Sequence, residues 1–564
     1  MKYSISYTNP NSHFIDIILR IENISNDKTI LQLPAWRPGR YELANFAQNI
    51  QKFEVTDTNG RALNFNKTTK DKWEVDTSEV SEITVSYNFY AYKMDAGSTW
   101  LDEEQLYINF VNCMVYDVAR LNKACEVTLD LPDDYEVACG LPMSKKKVLQ
   151  AESFYHLVES PMIASAKMRH LEYQVDKYRF HIWLMGDCEM DWEKVTRDFK
   201  AFSQNQIEMM GGFPCDDYHF LFQIAPYKLR HGVEHFNSTV IALGPGEEMN
   251  SKEMYESFMG ISSHELFHTW NVIRIKPKEF VPYDFTKENY FKTGFVAEGF
   301  TTYYGDLFLG RSGVFGKKWF LNEMSLQLQR HLDNFGRHNL SLADASFDLW
   351  LDGYKLGIPD RKVSIYTKGA LVALMLDLEI RMATKNKNSL DSLMRKLWDR
   401  FGDTKHGYTT DDILKMAEEL SGISFEAFFV NYINGTTPIE ERFVALLKYV
   451  GCEVLVRKPK NTYESTFGFK VLTSENATKI TKLHPTVQTL SVDDEIVAVN
   501  GTKVNSNLNL LFGDKKEVDL TIFRSHRLKK IKLVNSGMEY FHTYHIVKVA
   551  DVNTEAQQNF EAWL

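Results

Sequence analysis

The spacing of apolar residues changes twice along this chain, and that change constrains its fold more than any other feature. Ile15, Ile17, Leu19 and Ile21 alternate with Asp16, Arg20 and Glu22, and Ile83, Val85, Tyr87 and Phe89 alternate with Thr84, Ser86 and Asn88. A period of two is that of strands with one buried face. Asn59-Gly60 and Pro132-Asp133-Asp134 punctuate the region as turns, so residues 1–172 are expected to form an antiparallel, sandwich-like β domain. Near residue 190 the period lengthens, and Trp192, Val195, Phe199 and Phe202 share one helical face. An apolar strand over 219–225 follows, and then helices are expected over 254–270, 294–309, 317–332, 367–382 and 411–420. Short strands return from about 445, punctuated by Pro485 and Asn500-Gly501. The chain reads as a multidomain α+β protein with segments 1–172, 173–440 and 445–550 and a tail over 551–564.

Composition narrows the class of partner. With 65 basic and 75 acidic residues the net charge is −10, which repels a phosphate backbone and argues against nucleic acid. Six cysteines occur without a C-x-x-C pair, and the opening residues lack the apolar core of a signal peptide, so a reducing, cytoplasmic location is expected. The most apolar run, 369–376, is cut short by Asp377 and Glu379, so no membrane span is expected.

One motif carries chemistry by itself: His264-Glu265-Leu266-Phe267-His268. Two histidines four apart on a helix lie on one face, so both imidazoles can meet one cation, while Glu265 stands beside it near a bound water. A hydrolytic zinc site needs a third protein ligand and an open position. Glu298 is the leading candidate, because Phe295, Val296, Ala297, Gly299 and Phe300 would bury it and a buried carboxylate calls for a cation. An ion pair with an arginine, or a solvated helix position, would account for Glu298 equally well on composition alone. Glu279, Asp284 and Glu288 lie in polar or proline-containing loop sequence.

The runs H-E-L-F-H-T-W-N-V-I-R-I-K-P at 264–277 and A-E-G-F-T-T-Y-Y at 297–304 resemble the signatures of the glycyl aminopeptidases, zinc peptidases of the gluzincin clan. The resemblance implies a thermolysin-like catalytic domain with a helical lobe. It also implies one zinc per chain held by His264, His268 and Glu298, with Glu265 as general base. Tyr366-Thr367-Lys368-Gly369-Ala370 resembles the element whose tyrosine donates to the oxyanion in related aminopeptidases. Residues 231–239, H-G-V-E-H-F-N-S-T, resemble the family's element upstream of the zinc helix, which makes Glu234 the anchor for the substrate ammonium and Gly232 part of the substrate-binding strand. His231 stands where the family usually has glycine, which would hold that strand farther from substrate. The resemblance extends to 33–41, L-P-A-W-R-P-G-R-Y, and to 557–564 at the end of the sequence; both are read as turn and core sequence without chemistry. Small N-terminal residues, Gly or Ala, are the implied substrates.

Thr466-Phe467-Gly468-Phe469 together with 493–501, D-D-E-I-V-A-V-N-G, resembles a PDZ domain, which would bind C-terminal peptide segments through loop N–H groups and strand addition. The usual first glycine of the loop is missing, so a module that only packs on the catalytic domain is the competing reading. Two other functions remain open: a peptide-binding adaptor with an unused metal site, and a zinc endopeptidase in which Glu234 anchors no amine.

Overall fold

A computed structural model describes residues 1–145, 147–355, 357–474, 477–504 and 507–564. The N-terminal region is built from one seven-stranded and two four-stranded sheets. In the largest, Phe14–Glu22 runs antiparallel between Lys2–Ser6 and Glu82–Tyr90, and Ile15, Ile17, Leu19 and Ile21 are all buried on one face. The expectation of purely antiparallel strands is corrected at one place: Lys2–Ser6 pairs parallel with Cys125–Leu129. Turn residues report only local hairpins, whereas this pair joins strands more than 100 residues apart in the sequence.

The second region opens with a five-stranded sheet, in the spatial order Arg169–Val175, Tyr178–Met185, Asp217–Ile224, Ser238–Gly244 and Leu229–Glu234. The helix Trp192–Met210 makes the crossover between its second and third strands; Asp191 caps its start, and Gly211 ends it in a left-handed conformation at φ 79°. Leu229–Glu234 forms one edge, antiparallel to its single neighbour. The helix bearing the histidine motif, Lys252–Phe267, begins at Ser251, whose hydroxyl accepts from Met254 N at 3.2 Å. It packs along Thr301–Arg311.

The helix expected over 294–309 is two pieces, a π-helical segment Phe295–Phe300 running into the α-helix Thr301–Arg311. All six residues of the π segment are buried, so apolar spacing held no signal for the wider turn. The apolar run at 369–376 belongs to Thr367–Thr384, which is buried all round along its centre as the middle helix of the lobe. Among the described residues no helix is long and apolar enough to cross a membrane.

Beyond the lobe, Glu440–Tyr449 buries Phe443, Leu446 and Leu447 against it, and Cys452–Arg457 pairs antiparallel with Thr543–Lys548. Between those two strands the chain forms a six-stranded sheet with a separate core that includes Phe469, Ile480, Phe512 and Leu520. The last helix, Thr554–Trp563, returns to the lobe, where Trp563 Nε1 donates to Tyr303 Oη at 2.9 Å and Arg311 donates to Trp563 O at 2.8 Å.

Candidate metal centre

His264 and His268 project from the end of the motif helix toward Glu298 on the π segment. The two Nε2 atoms are 3.0 Å apart, and Glu298 Oε2 is 3.7 Å from His264 Nε2 and 3.4 Å from His268 Nε2. Ligand atoms held tetrahedrally at ~2.05 Å from zinc would lie ~3.3 Å apart, so the three atoms sit at the spacing of one shared cation. His268 Nδ1 donates to Asn271 O at 2.8 Å, which leaves its Nε2 lone pair directed into the cluster. The side chain of Asn271 in turn donates to Val296 O at 2.7 Å, tying the end of the motif helix to the segment that carries Glu298.

Electrostatics favour positive charge here. Burial pushes His268 down, but the charges of Glu234, Glu298 and Glu265 outweigh it and lift the imidazole to about 10, so the protein alone would hold a proton where a cation fits. Burial raises Glu265 to about 8, opposed by His268 and reinforced by Glu234 and Glu298. Glu234 is raised for the same leading reason. Both Glu234 Oε1 and Glu265 Oε2 are buried with no hydrogen-bond partner. Two unsatisfied carboxylate oxygens beside a candidate metal position fit an amine and a water.

Close backbone approaches set this geometry. A Cβ on Gly232 would lie 2.1 Å from Glu265 Oε1, so a glycine on the edge strand makes room for the motif carboxylate. A Cβ on Gly299 would meet Gly369 Cα at 2.5 Å, and one on Gly305 would meet His264 Cα at 3.0 Å, so glycines seat the π segment and its following helix against their neighbours. Tyr366 stands immediately before the helix Thr367–Thr384 and lines the same cleft, of ≈ 630 Å³, as His264, His268, Glu298, Glu265, Glu234 and Gly232. Burial, with Glu298 adding, holds its hydroxyl well above the usual value, so it stays a donor.

The run at 33–41 does more than its reading as turn and core allowed. Trp36 is buried and donates to Asp284 O at 2.7 Å, while Gly39, at φ +74°, lines the cleft so closely that a Cβ would lie 2.6 Å from Glu234 Oε2. Arg37 Nη2 is 3.3 Å from His231 Nε2, and Asp95 Oδ1 is 3.7 Å from His231 Nδ1. Burial raises Asp95, but Arg37, His231 and Lys93 overcome it and hold the carboxyl at about 2. The N-terminal region thus contributes Gly39 to the cleft and, through Arg37 and Asp95, holds the His231 side chain. His235, next to Glu234, is buried.

Residues 2–166 match the peptidase M61 N-terminal domain, and residues 257–372 match the M61 glycyl aminopeptidase domain. Over these two stretches the chain matches the M61 glycyl aminopeptidases. It is a metallopeptidase, and its His264–His268–Glu298 cluster is the candidate zinc site. The chain is similar over its full length to the aminopeptidase N family protein of Idiomarina loihiensis, at 25% identity and a TM-score of 0.92, covering 100% of this chain and 99% of that one. An M1 zinc metallopeptidase from Deinococcus radiodurans aligns at 13% identity and a TM-score of 0.48, over 78% of this chain and 94% of that one. No curated protein matches the chain by sequence.

Proposed function

We propose that the chain removes N-terminal glycine or alanine from peptides, with one zinc held by His264, His268 and Glu298. The observation that carries this reading is the convergence of those three ligand atoms beside two buried carboxylates, Glu265 and Glu234, each with one oxygen lacking a hydrogen-bond partner among the described residues. Zinc held there supplies Lewis-acid polarisation of the scissile carbonyl and makes a water nucleophilic near neutral pH. Glu265 takes the proton of the attacking water and passes it to the leaving amine. Tyr366 donates its O–H to the oxyanion that forms on the carbonyl. Glu234 pairs with the substrate ammonium, and the edge strand through Gly232 aligns the peptide backbone. Gly39, packed on the anchor carboxylate, supports a small first residue because little room is left on that side.

The segments proposed as units are an N-terminal β domain over 1–172, a thermolysin-like catalytic domain over 173–440, a PDZ-like domain over 445–550 and a tail over 551–564. For the PDZ-like domain the packing role is better supported than peptide capture. Gly468, at φ +72°, is covered by Val487 and the Tyr540 ring, and Tyr540 N donates to Ser465 O at 3.0 Å across the loop that would receive a carboxylate. We assign the protein to the cytoplasm, without nucleic-acid partners; its six cysteines are free thiols, as a reducing compartment maintains them.

The test is hydrolysis of glycyl and alanyl peptides with free and N-acetylated ends, alongside the zinc content of the purified chain. About one zinc per chain and cleavage of free-amine substrates alone are expected. Equal cleavage of blocked and free peptides would make the chain an endopeptidase, and retained zinc in both H264A and H268A would remove the ligand assignment.

A further inference from the structure

The cleft continues well past the candidate zinc position, and its far half is chemically built. Its floor is the edge strand Leu229–Glu234, and its walls are the motif helix, the helix Thr301–Arg311 and the helix Lys317–Leu332. Glu234, the amine anchor, lies at the C-terminal end of the edge strand. A peptide that pairs antiparallel with this strand while its ammonium meets Glu234 must run toward Arg230. The two are four residue steps apart, about 13 Å along the strand. The backbone of a tripeptide spans roughly 10 Å, so its α-carboxylate ends within reach of an arginine side chain at that position.

Two arginines wait there. Arg230 Nε donates to Ser257 Oγ at 2.9 Å, and among the described residues its remaining donors have no carboxylate partner. The Arg330 side chain, near enough to Asp306 and Glu323 to act on their charge, makes no hydrogen bond or ion pair among the described residues. The amide of Gln327 lines the same stretch only 7% exposed, with its Oε1 buried and unpartnered, and Trp319 Nε1 is likewise buried without an acceptor. An unsatisfied acceptor and an unsatisfied donor on side chains that line the cleft are complementary to a peptide unit once the side chains turn toward it. Asp306 and Glu323 lie on the same walls, and Glu253 and Glu256 line the cleft from the motif helix. Burial lifts Asp306 to about 8, with Glu323 adding and the two arginines opposing, and Glu323 is raised mainly by burial as well. Burial thus disfavours the charged forms of Asp306 and Glu323, which lessens their repulsion of a carboxylate.

We infer that Arg230 and Arg330 bind the free α-carboxylate of a short peptide, which makes tri- and tetrapeptides the substrate class. This rests on the aminopeptidase reading, and the experiment separates the two. Triglycine, triglycinamide and glycyl-glycyl-lysinamide are compared as substrates for the wild type, R230Q, R330Q and the double variant. Glycinamide, which has no distant carboxylate, reports separately on the aminopeptidase chemistry.

The wild type is expected to favour triglycine over triglycinamide by roughly 10- to 100-fold in kcat/KM, the scale of a charge-assisted contact. The double variant should bring that ratio close to 1. Because the ratio is taken within one protein, general damage to the site cancels. A wild-type ratio near 1, or a ratio unchanged in the double variant, overturns the inference. So does a preference for the lysinamide peptide without a preference for the free acid, which would assign the trough to a basic side chain at Asp306 and Glu323. Failure to cleave glycinamide at all would instead overturn the aminopeptidase reading.

Discussion

Asn271 touches no substrate, yet it joins the two halves of the metal cluster. Its carbonyl fixes the His268 ring, and its amide holds Val296 O at 2.7 Å and Thr301 Oγ1 at 3.0 Å. N271A is therefore expected to lower zinc affinity about 10- to 100-fold, as losses beyond the direct ligands do, measured by competition with a chelator. A fall in thermal stability with zinc affinity unchanged would reduce Asn271 to a packing residue. At the reacting centre, E265Q should keep zinc and lose most turnover, because an amide cannot accept the proton of the attacking water. Y366F should lose about 100-fold in kcat with KM little changed, the scale of one oxyanion donor; a change confined to KM would place Tyr366 in substrate binding instead. The ligand triad was legible because two of its members are four residues apart on one helix and the third lies in an apolar run that makes a buried carboxylate conspicuous. Gly39 and Arg37 were not, because their partners Glu234 and His231 lie nearly 200 residues away, although a Pro-Gly pair between two arginines and two aromatic residues was an unusual core sequence.

At the scale of elements, strand and helix ranges followed the apolar period closely: residues 15–21 lie in Phe14–Glu22, 317–332 coincide with Lys317–Leu332, and 367–382 fall within Thr367–Thr384. The period could not show where a backbone departs from its usual turn. The π segment Phe295–Phe300 is held against the lobe's central helix by Gly299 and Gly369, whose backbones meet with no side chain between them. G299A should cost ~1–3 kcal/mol, because the obstructing atom is backbone Cα and cannot rotate away, and it should lower zinc occupancy by displacing the neighbouring Glu298. Gly260, on the motif helix, has nothing within 4 Å of a Cβ, so G260A should instead stabilise the protein by ~0.5–1 kcal/mol through helix propensity. Paired denaturation and metal measurements check both signs; equal effects would mean that helix propensity, rather than the close approach, governs these positions.

At the scale of the whole molecule, the chain's third region is interrupted rather than appended. Glu440–Tyr449, the strand pair Cys452–Arg457 with Thr543–Lys548, and Thr554–Trp563 all contribute to the main core, while the six-stranded sheet between them has its own. A truncation from residue 445 onward removes Leu446, Leu447, Ile546 and Trp563 from that core; at ~2–5 kcal/mol for each large side chain, the loss is comparable to the whole stability of an ordinary domain, ~5–15 kcal/mol. A different cut respects the architecture. Arg457 and Thr543 face each other in register, so replacing 458–542 by Asn-Gly would close the two strands into a hairpin. What is lost is the contact with the segment leading to Tyr366: the ion pairs Lys470–Asp333 at 2.6 Å and Lys482–Asp360 at 3.5 Å, and the rings of His484 and Phe541 against Phe335. Exposed and half-exposed ion pairs contribute ~1 kcal/mol or less each, so the shortened chain should fold. Because the lost contacts buttress the approach to Tyr366, glycinamide and longer peptides should both lose kcat by a similar factor, with zinc content unchanged. A loss confined to longer peptides would show instead that the removed sheet recruits substrate, and an unfolded product would show that the two cores are not separable.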